Sequence, residues 1–377
     1  MKIGIVCYPT FGGSGVVATE LGHALSSKGH EIHFITYQQP VRLNTLKSHI
    51  HFHEVNVPKY PLFQYQPYEL ALSSKLVQVV KKEQLELLHV HYAIPHAYAA
   101  YMAQKMLEDQ GIYIPFVTTL HGTDITLVGS HPFYKDAVAF SINHSNAVTS
   151  VSKSLKVDTL RLFPIKTNIQ VIYNFINVDF YKSRQPPCER DLIAPNGEKI
   201  ITHISNFRPL KRVMDVIKTF EIIQDKCPSK LVMVGDGIEK NKAKLYCKEN
   251  GLEDKVLFLG KSNEIDRILC FTDLFILPSE KESFGLAALE AMIHKVPVIA
   301  TNVGGLPEII QEGVSGFLLN VGDYKGMARQ GLELLLNPQK HDDFKNQAFE
   351  QAQQFDLKRI VEQYESVYQE AILKKTY

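Results

Sequence analysis

The sequence has little cysteine and no excess of either charge. Its five cysteines are scattered and odd in number and include no C-x-x-C pair, so they predict reduced thiols without a structural zinc site. Lysine and arginine total 41 against 40 for aspartate and glutamate, a net charge of +1 that provides no broad basic field for nucleic acid or an anionic membrane. The composition therefore favours small-molecule partners.

Long apolar runs are also absent. None reaches the ~18 residues of a membrane span, and Met1-Lys2 leads directly into an apolar strand instead of a signal peptide. A cytoplasmic protein is therefore expected. The chain has 377 residues, 45% of them apolar, which is enough for two domains with separate cores.

Short β-rich runs alternate with amphipathic ones, the βαβ rhythm of parallel sheets. Predicted strands cover residues 3–7, 31–37, 87–91, 115–120 and 147–151, then 199–205, 230–234, 255–259, 274–277, 297–300 and 316–319. The polar, proline-bearing segment 182–198 is interpreted as a linker. The pattern predicts two doubly wound α/β domains, over 1–170 and 171–356. The C-terminal segment 357–377 is predicted to be helical and could pack back on the first domain.

A glycine-rich turn, Gly12-Gly13-Ser14-Gly15, separates the first strand from the first helix. Glycines there allow N–H groups at a helix N-terminus to approach an anion, and a tight turn without a ligand is the alternative. The G-x-G-x-x-G pattern is absent and the second strand ends Ile35-Thr36-Tyr37, without an acidic residue. A hydride-transfer enzyme is therefore not expected.

Histidines cluster at two predicted strand ends. His89 and His91 are two residues apart and share one face of a strand, while His121 and Asp124 follow a later strand. These residues could bind zinc in a metal-dependent hydrolase, although the closing ligands have no clear candidates. The alternatives are hydrogen-bonded strand-end histidines and histidines that line a substrate cleft without a metal.

A cationic loop, residues 205–212, follows the first strand of the second domain. Open α/β sheets bind ligands at the carboxyl ends of their strands, and a cationic loop at such an end suits phosphate. An ordinary solvated loop is the alternative.

Two glutamates mark the stretch 279–292. Glu282 precedes a predicted helix and Glu290 lies two turns inside it, so a largely helical segment would hold their carboxylates roughly 12 Å apart. Paired carboxylates in glycoside hydrolysis lie only about 5 to 9.5 Å apart, which disfavours a hydrolase. The spacing suits an extended ligand held at both ends, with N–H groups of residues 284–286 facing a diphosphate. A helix-start acid and a surface glutamate are the alternative.

Together these segments resemble the retaining GT-B glycosyltransferases of the glycogen-synthase and sucrose-synthase kind. The resemblance rests on Glu282-x7-Glu290, Gly12-Gly13, Leu120-His121-Gly122-Thr123-Asp124, the cationic loop and Val303-Gly304-Gly305-Leu306-Pro307-Glu308. Residues 7–15, 89–97 and 203–208 closely resemble the bacterial N-acetylglucosaminyl L-malate synthases, which make the first intermediate of the thiol bacillithiol. The resemblance implies Rossmann-like domains facing an interdomain cleft, with UDP-N-acetylglucosamine as donor, L-malate as acceptor and no cofactor or metal.

The resemblance also implies residue roles. Glu282 would hold hydroxyls of the donor sugar, Glu290 the uridine ribose, and His121 the sugar near its 6-hydroxyl. Lys211 would neutralise the diphosphate; the family has Arg five residues earlier, where this chain has Asn206, so the second positive charge is assigned to Arg208. The full assignment is Arg208, Lys211, Glu282 and His121 as catalytic; Gly13, Asn206, Ser283, Phe284, Gly285, Leu286 and Glu290 as donor-binding; and Gly13, Ser14, Tyr92 and Thr119 as acceptor-binding.

The implied reaction retains the configuration of the sugar, with the leaving phosphate helping to deprotonate the malate hydroxyl. Other acceptors, including lipids and inositol phosphate, are the nearest alternatives. A metal-dependent hydrolase and a non-catalytic sugar-nucleotide binding module are the more distant ones, and a homo-oligomer is compatible with all of them.

Overall fold

The computed structural model of the protein describes residues 1–10, 13–59, 61–183 and 188–374. Within these ranges no helix is long and apolar enough to cross a membrane. The chain forms two compact units: unit 1 is Met1–Phe175 with Leu357–Tyr377, and unit 2 is Ile176–Asp356.

Both units alternate strands with helices. The strands are β1 (Lys2–Val6), β2 (Glu31–Thr36), β3 (Ile50–Glu54), β4 (Leu87–His91), β5 (Phe116–Leu120), β6 (Ala147–Ser150), β7 (Ile169–Val171), β8 (Lys199–Ile204), β9 (Ser229–Val234), β10 (Val256–Gly260), β11 (Leu274–Leu277), β12 (Val298–Thr301) and β13 (Gly316–Leu319). The helices are α1 (Ser14–Ser27), α2 (Tyr68–Glu83), α3 (Tyr98–Glu108), α4 (Pro132–Asn143), α5 (Lys153–Leu162), α6 (Val178–Ser183), α7 (Arg190–Ile193), α8 (Val213–Gln224), α9 (Lys240–Glu249), α10 (Ile265–Leu269), α11 (Leu286–Ile293), α12 (Leu306–Ile309), α13 (Tyr324–Leu335), α14 (Pro338–Gln353) and α15 (Leu357–Leu373).

Unit 1 contains a seven-stranded parallel sheet in the order β3-β2-β1-β4-β5-β6-β7. The chain leaves β1 in one direction and β4 in the other, so the switch point of the sheet lies between these two strands. In open α/β sheets ligands bind beyond the carboxyl ends of the strands at that point. The turn before α1 and the loop after β4 are therefore the candidate ligand-binding loops of unit 1.

Unit 2 contains a six-stranded parallel sheet in the order β10-β9-β8-β11-β12-β13. Its switch point lies between β8 and β11. The cationic loop 205–212 follows β8, and the glutamate-bearing loop follows β11. The expected pair of doubly wound domains is confirmed, and the eleven predicted strands are all present.

Two strands were not predicted. The sequence of β3 is Ile50-His51-Phe52-His53-Glu54. Its two histidines and one glutamate leave too few apolar residues for the strand to be recognised at the edge of the sheet. β7 has only three residues, which is too short for an alternating pattern to be recognised.

The interpretation of 182–198 as a linker is wrong for its described part. The segment contains α7, whose Arg190 donates to the carbonyls of Phe271 and Glu198 and pairs with Asp273 at 2.7 Å. Ala194 is only 2% exposed and belongs to the core of unit 2. Polar residues and prolines indicate irregular backbone, but they do not show whether that backbone is packed. Pro186 and Pro187 lie outside the described residues.

Helix α15 returns to unit 1, where it packs on α1 and β5. Its Tyr364 and Tyr368 are fully buried, and the Tyr368 hydroxyl lies 2.7 Å from Nδ1 of His89. Helix α15 thereby packs against β4, the strand that precedes the candidate loop containing Tyr92.

Candidate active site

The turn after β1 presents the N-terminus of α1. Gly13 is the N-cap of this helix, with φ 61° and ψ −129°, a conformation that favours glycine. A Cβ on Gly15 would lie 2.7 Å from both the carbonyl of Tyr8 and Oγ1 of Thr10, so the backbone there is closely approached. N–H groups in the first turn of a helix lack partners within the helix and attract anions. Gly12 lies outside the described residues.

Ser14 and Tyr92 meet at this turn. Their hydroxyls are 2.6 Å apart, although the residues come from α1 and from the loop after β4. Tyr92 has φ 84°, an uncommon conformation for a tyrosine, and its N–H donates to the carbonyl of Thr119 at 2.9 Å. Burial raises the pKa of Tyr92 well above its usual range, so the phenol is a neutral donor or acceptor.

His121 completes this group. Its ring packs on that of Tyr92 with centroids 5.0 Å apart, and its Nε2 lies 2.8 Å from Nδ1 of His91. Burial, reinforced by the neighbouring His96, lowers the pKa of His121 to about 3. The structure therefore brings together three of the predicted residues, Ser14, Tyr92 and His121, in neutral form. We refer to them as the unit 1 cluster.

The strand-end histidines form hydrogen bonds and do not form a three-ligand cluster in the described part of the chain. Nε2 of His89 is 2.7 Å from the Thr119 hydroxyl, and His91 is bonded to His121. Burial lowers the pKa of His89 to about 3 and that of His91 well below its ordinary value. Of the interpretations left open by the sequence, the hydrogen-bonded one describes His89 and His91.

Asp124 ties two loops together. Its carboxylate accepts hydrogen bonds from the N–H groups of Ala93, His121 and Gly122, at 2.8, 3.2 and 2.9 Å. Burial raises its pKa to about 6, and the three hydrogen bonds oppose that rise because they stabilise the carboxylate. Asp124 thus positions the loop that carries His121.

Thr119 is fully buried. Its hydroxyl lies 2.7 Å from both His89 Nε2 and Thr149 Oγ1, and 3.4 Å from the Tyr364 hydroxyl. Only its backbone carbonyl reaches Tyr92. The acceptor role assigned to Thr119 stays a prediction, with its side chain engaged in the core.

In unit 2, Lys211 and Glu282 form an ion pair between the loops that follow β8 and β11. Their side chains are 16% and 14% exposed, so solvent screens the pair less than a surface pair. The Ser279 hydroxyl donates to the same Glu282 oxygen at 3.0 Å, and the N–H of Glu280 donates to the carbonyl of Leu210 at 2.7 Å. Lys211, Glu282 and Ser279 are called the unit 2 cluster.

Glycines hold the backbone around this cluster. Gly304 has φ 55°, and a Cβ there would lie 1.7 Å from the carbonyl oxygen of Glu282. The N–H of Gly305 donates to that same carbonyl at 3.0 Å. The sequence Val303-Gly304-Gly305 therefore fixes the Glu282 backbone from the loop after β12, and a side chain at position 304 would displace it.

The helix expected to join Glu282 and Glu290 begins later than predicted. α11 starts at Leu286, after Gly285 at φ 103°, ψ 47°, so Glu282 lies in the preceding loop and Glu290 just over one turn inside the helix. The estimate of roughly 12 Å between the two carboxylates assumed a continuous helix, and that assumption is wrong. The left-handed Gly285 ends the loop abruptly and leaves the N–H groups of the first turn, from Leu286 onward, free of helix-internal partners.

The other predicted donor residues surround this helix start. Phe284 is buried with its ring edge against Phe355, at a centroid distance of 5.6 Å, and Ser283 is partly buried. Glu290 is also partly buried, and its carbonyl accepts from Nδ1 of His294 at 2.8 Å. The donor roles of these residues stay predictions.

Asn206 and Arg208 are exposed on either side of the buried Phe207. Arg208 precedes the 3₁₀ turn Pro209–Lys211, and its carbonyl accepts from the N–H of Lys211 at 2.8 Å. Arg212, by contrast, pairs with Asp215 at 2.6 Å. Neither arginine lies in the Lys211–Glu282 pair, and the role of Arg208 stays a prediction.

Two polar residues of unit 2 were not anticipated as site residues. Ser279 orients Glu282, and its position at the end of β11, three residues before the glutamate, was the available signal. His203 is buried, with Nδ1 2.8 Å from the carbonyl of Ile276 and Nε2 2.8 Å from the Ser205 hydroxyl. Burial lowers its pKa to about 4, so it connects β8 to β11 as a neutral ring.

Comparisons with known proteins agree with this architecture. The model for glycosyl transferases group 1 matches residues 188–351, and the model for glycosyltransferase family 4 matches residues 11–180. The chain is 48% identical over 374 residues to N-acetyl-alpha-D-glucosaminyl L-malate synthase of Bacillus anthracis, covering 99% of this chain and 97% of that protein.

Solved structures share the fold. Sucrose-phosphate synthase from Thermosynechococcus elongatus superimposes with a TM-score of 0.80 at 18% identity, over 99% of both chains. Anabaena HepE, solved with UDP and glucose, gives a TM-score of 0.80 at 21% identity, over 97% of this chain and 99% of that chain. The chain therefore belongs to the N-acetyl-alpha-D-glucosaminyl L-malate synthase family of GT-B glycosyltransferases.

Proposed function

We propose that the protein transfers N-acetylglucosamine from UDP-N-acetylglucosamine to the hydroxyl of L-malate, with retention of configuration, as the first step of bacillithiol synthesis. The observation that carries the proposal is 48% identity to the N-acetyl-alpha-D-glucosaminyl L-malate synthase of Bacillus anthracis over 99% of the chain, which includes both candidate clusters. The chemistry of those clusters supports it in three respects.

First, the unit 2 cluster suits the donor. Breaking the bond between the sugar and the phosphate leaves negative charge on UDP, and preorganised donors stabilise such charge in proportion to their exclusion from water. Lys211 provides a cation that is largely buried, and α11 provides N–H groups at its N-terminus. We assign the diphosphate to Lys211, Arg208 and this helix start, and the ribose to Glu290.

Second, Glu282 is prepared to hold a sugar. Its carboxylate accepts from Lys211 and Ser279 through one oxygen, Oε1, which leaves Oε2 to accept hydrogen bonds from sugar hydroxyls. The ion pair also fixes Lys211 before the donor binds, so little reorganisation is needed when charge develops on the phosphate.

Third, the unit 1 cluster suits an acceptor with carboxylates. The N-terminus of α1 offers N–H groups to one carboxylate of malate, and the hydroxyls of Ser14 and Tyr92 offer further donors. His121, neutral and within this group, is assigned to the donor sugar near its 6-hydroxyl.

The proposed reaction balances without another reagent. The bond between the anomeric carbon and the phosphate oxygen breaks, and its electron pair goes to UDP. The malate hydroxyl forms the new glycosidic bond on the same face, and its proton goes to the leaving phosphate. The products are N-acetylglucosaminyl malate and UDP.

A coupled assay of UDP release tests the proposal with L-malate, D-malate, succinate and inositol phosphate as acceptors. L-malate should give a rate well above the background without acceptor, and succinate should give none because it has no hydroxyl to glycosylate. Proton NMR of the product should show an α-anomeric linkage. A background rate with L-malate but turnover with inositol phosphate would replace the acceptor and keep the transferase; no UDP release with any acceptor would overturn the transferase itself.

A further inference from the structure

Four side chains on β2 and β3, at one edge of the unit 1 sheet, form a cluster that the proposed glycosyl transfer does not use. Glu31 and His33 lie on β2, and His51 and His53 lie on β3, with His33 directly opposite His51 in the parallel register. Residues two apart on a strand share a face, so all four are on the same side of the sheet. The cluster begins at the amino ends of the strands, whereas the candidate loops follow carboxyl ends.

Three potential ligand atoms converge in this cluster. Oε1 of Glu31 is 3.3 Å from Nε2 of His51 and 3.5 Å from Nε2 of His33, and all three atoms lie within 4.8 Å of one another. These distances are long for direct hydrogen bonds. Two ligands at 2.0–2.1 Å from a tetrahedral Zn²⁺ lie about 3.4 Å apart, so the two Glu31 distances suit atoms that share one ion.

The buried histidine is oriented for such an ion. His33 is fully buried, and its Nε2 has no hydrogen-bond partner among the described residues. Its other nitrogen, Nδ1, is 2.9 Å from Nε2 of His53. When Nδ1 donates in this bond, Nε2 carries the lone pair that a metal requires, and His53 acts as the outer partner that fixes the tautomer.

The alternative interpretation is a set of ion pairs between Glu31 and charged histidines. The Glu31–His51 and Glu31–His33 distances of 3.3 and 3.5 Å exceed the roughly 2.7–2.9 Å of charge-assisted hydrogen bonds between such groups. Lys2 approaches Glu31 through the other carboxylate oxygen, with Nζ 3.5 Å from Oε2, and leaves Oε1 facing the two imidazoles. A buried imidazole whose Nε2 has no hydrogen-bond partner among the described residues and faces a carboxylate oxygen is better explained as a ligand.

We propose that Glu31, His33 and His51 bind one Zn²⁺ ion, with a fourth position open to water. In the described part of the chain, β3 lies at the edge of the unit 1 sheet and pairs with β2. The ion would bond the two strands through their side chains and stabilise the edge of the unit 1 sheet, a structural role separate from glycosyl transfer.

Zinc titration of the full-length protein, first dialysed against a chelator, tests the proposal. A competing fluorescent chelator should report one tightly bound Zn²⁺ per chain, and saturating Zn²⁺ should raise Tm by about 5 °C. His51→Ala and Glu31→Gln should each weaken binding at least about 100-fold and remove the rise in Tm, because each removes a ligand. The side chains of His51 and Glu31 are 40% and 31% exposed, so these variants are expected to fold, which circular dichroism checks.

His49→Ala is the matched control. His49 is exposed immediately before β3, and its loss removes an imidazole without touching the cluster. This variant should bind Zn²⁺ like the parent. Binding that is lost in His49→Ala but kept in His51→Ala or Glu31→Gln would overturn the proposal, as would a parent protein that binds no Zn²⁺ at micromolar concentration.

Discussion

The two units share a layout but differ in the electrostatics of their switch points. In unit 1 the loops bring together Ser14, Tyr92 and His121, all neutral. In unit 2 they bring together a cation and an anion, Lys211 and Glu282. Among the described residues, four fully buried histidines with lowered pKa lie in unit 1, and one lies in unit 2. Two sheets of similar strand order therefore carry a neutral cluster in unit 1 and an ion pair in unit 2. The difference arises from the residues of the loops and of the strands that precede them.

The comparison suggests a division of labour. A departing diphosphate needs positive charge where negative charge develops, and the unit 2 cluster holds that charge in place. For an acceptor that brings its own carboxylates, the hydroxyls of Ser14 and Tyr92 and the N–H groups of α1 are the proposed donors. If the two units have these different roles, each of the following experiments should affect them differently.

The largest effect is expected from removing the cation of unit 2. Lys211→Ala should lower kcat for UDP release about 10²-fold or more, because a preorganised charge contact to the leaving group is lost. Arg208→Ala should also be severely impaired if Arg208 supplies the second charge. Steady-state kinetics of UDP release measures both.

The matched control for these variants is Lys226→Ala, since Lys226 is exposed at the end of α8 and the charge change is the same. Arg212→Ala is a poorer control, because it would leave the largely buried carboxylate of Asp215 without its partner. A Lys211→Ala rate within fivefold of the Lys226→Ala rate would contradict the assignment of the diphosphate to this loop.

As pH falls, the stability of unit 1 against unfolding should decrease before that of unit 2. His89 and His96 have pKa values of about 3 and 4 in the folded protein, against 6.5 when unperturbed. Below pH 6.5 the unfolded chain takes up protons that the folded chain does not, so the stability present above pH 6.5 is lost as pH falls towards about 4 for His96 and about 3 for His89. Each ring contributes a loss on the order of 1 kcal/mol between pH 7.5 and 5.5.

Asp124 opposes this effect in part. Its folded pKa of about 6 lies above its ordinary 3.8, so its contribution to stability is fully present below pH 3.8 and is lost as pH rises through 6. Hydrogen-exchange mass spectrometry at pH 7.5 and 5.5, expressed as protection factors, should show a larger loss in β4 and β5 than in β8 and β11. Earlier loss of protection in unit 2 would show that the buried histidines do not control acid stability.

A moderate effect is expected from the two glutamates of unit 2. Glu290→Gln should weaken UDP binding about 10- to 100-fold if Glu290 holds the ribose, since a hydrogen bond to a charged group contributes about 1.5–3 kcal/mol. Glu282→Gln should bind UDP nearly like the parent but turn over the sugar nucleotide more slowly. Calorimetric titration with UDP measures both, and normal binding by both variants would remove Glu290 from the ribose.

The smallest effect is expected in unit 1. Ser14→Ala should raise KM for L-malate several-fold and leave KM for UDP-N-acetylglucosamine nearly unchanged, because malate loses one donor while the Tyr92 hydroxyl and the N–H groups of α1 remain. Tyr92→Phe removes the partner hydroxyl and should act in the same direction. A rise in KM for the sugar nucleotide with no change for malate would move this cluster to the donor.

The candidate residues differ in how far the sequence could predict their surroundings. The motif containing Glu282 and the cationic loop were visible because glycines, charges and strand ends stand out locally, and the structure joins Lys211 to Glu282 as an ion pair. The start of α11 was placed too early, because the left-handed Gly285 that delays it is a backbone conformation and not a composition. The sequence did not reveal that the Thr119 hydroxyl bonds to His89 and Thr149 inside the sheet, and the acceptor role of Thr119 stays a prediction.

The sequence by itself determined the fold class and eleven of the thirteen described strands, because hydrophobic alternation and turn residues act over a few neighbouring positions. Its motifs carried the family resemblance. Only the tertiary structure decided that segment 188–198 packs on unit 2, that α15 returns to unit 1, and that Ser14 meets Tyr92 across 78 residues. It also decided that the histidines of β4 are hydrogen-bonded in the core while those of β2 and β3 converge on Glu31. Such contacts depend on which strands become neighbours, and strand order is a property of the folded sheet that no local pattern contains.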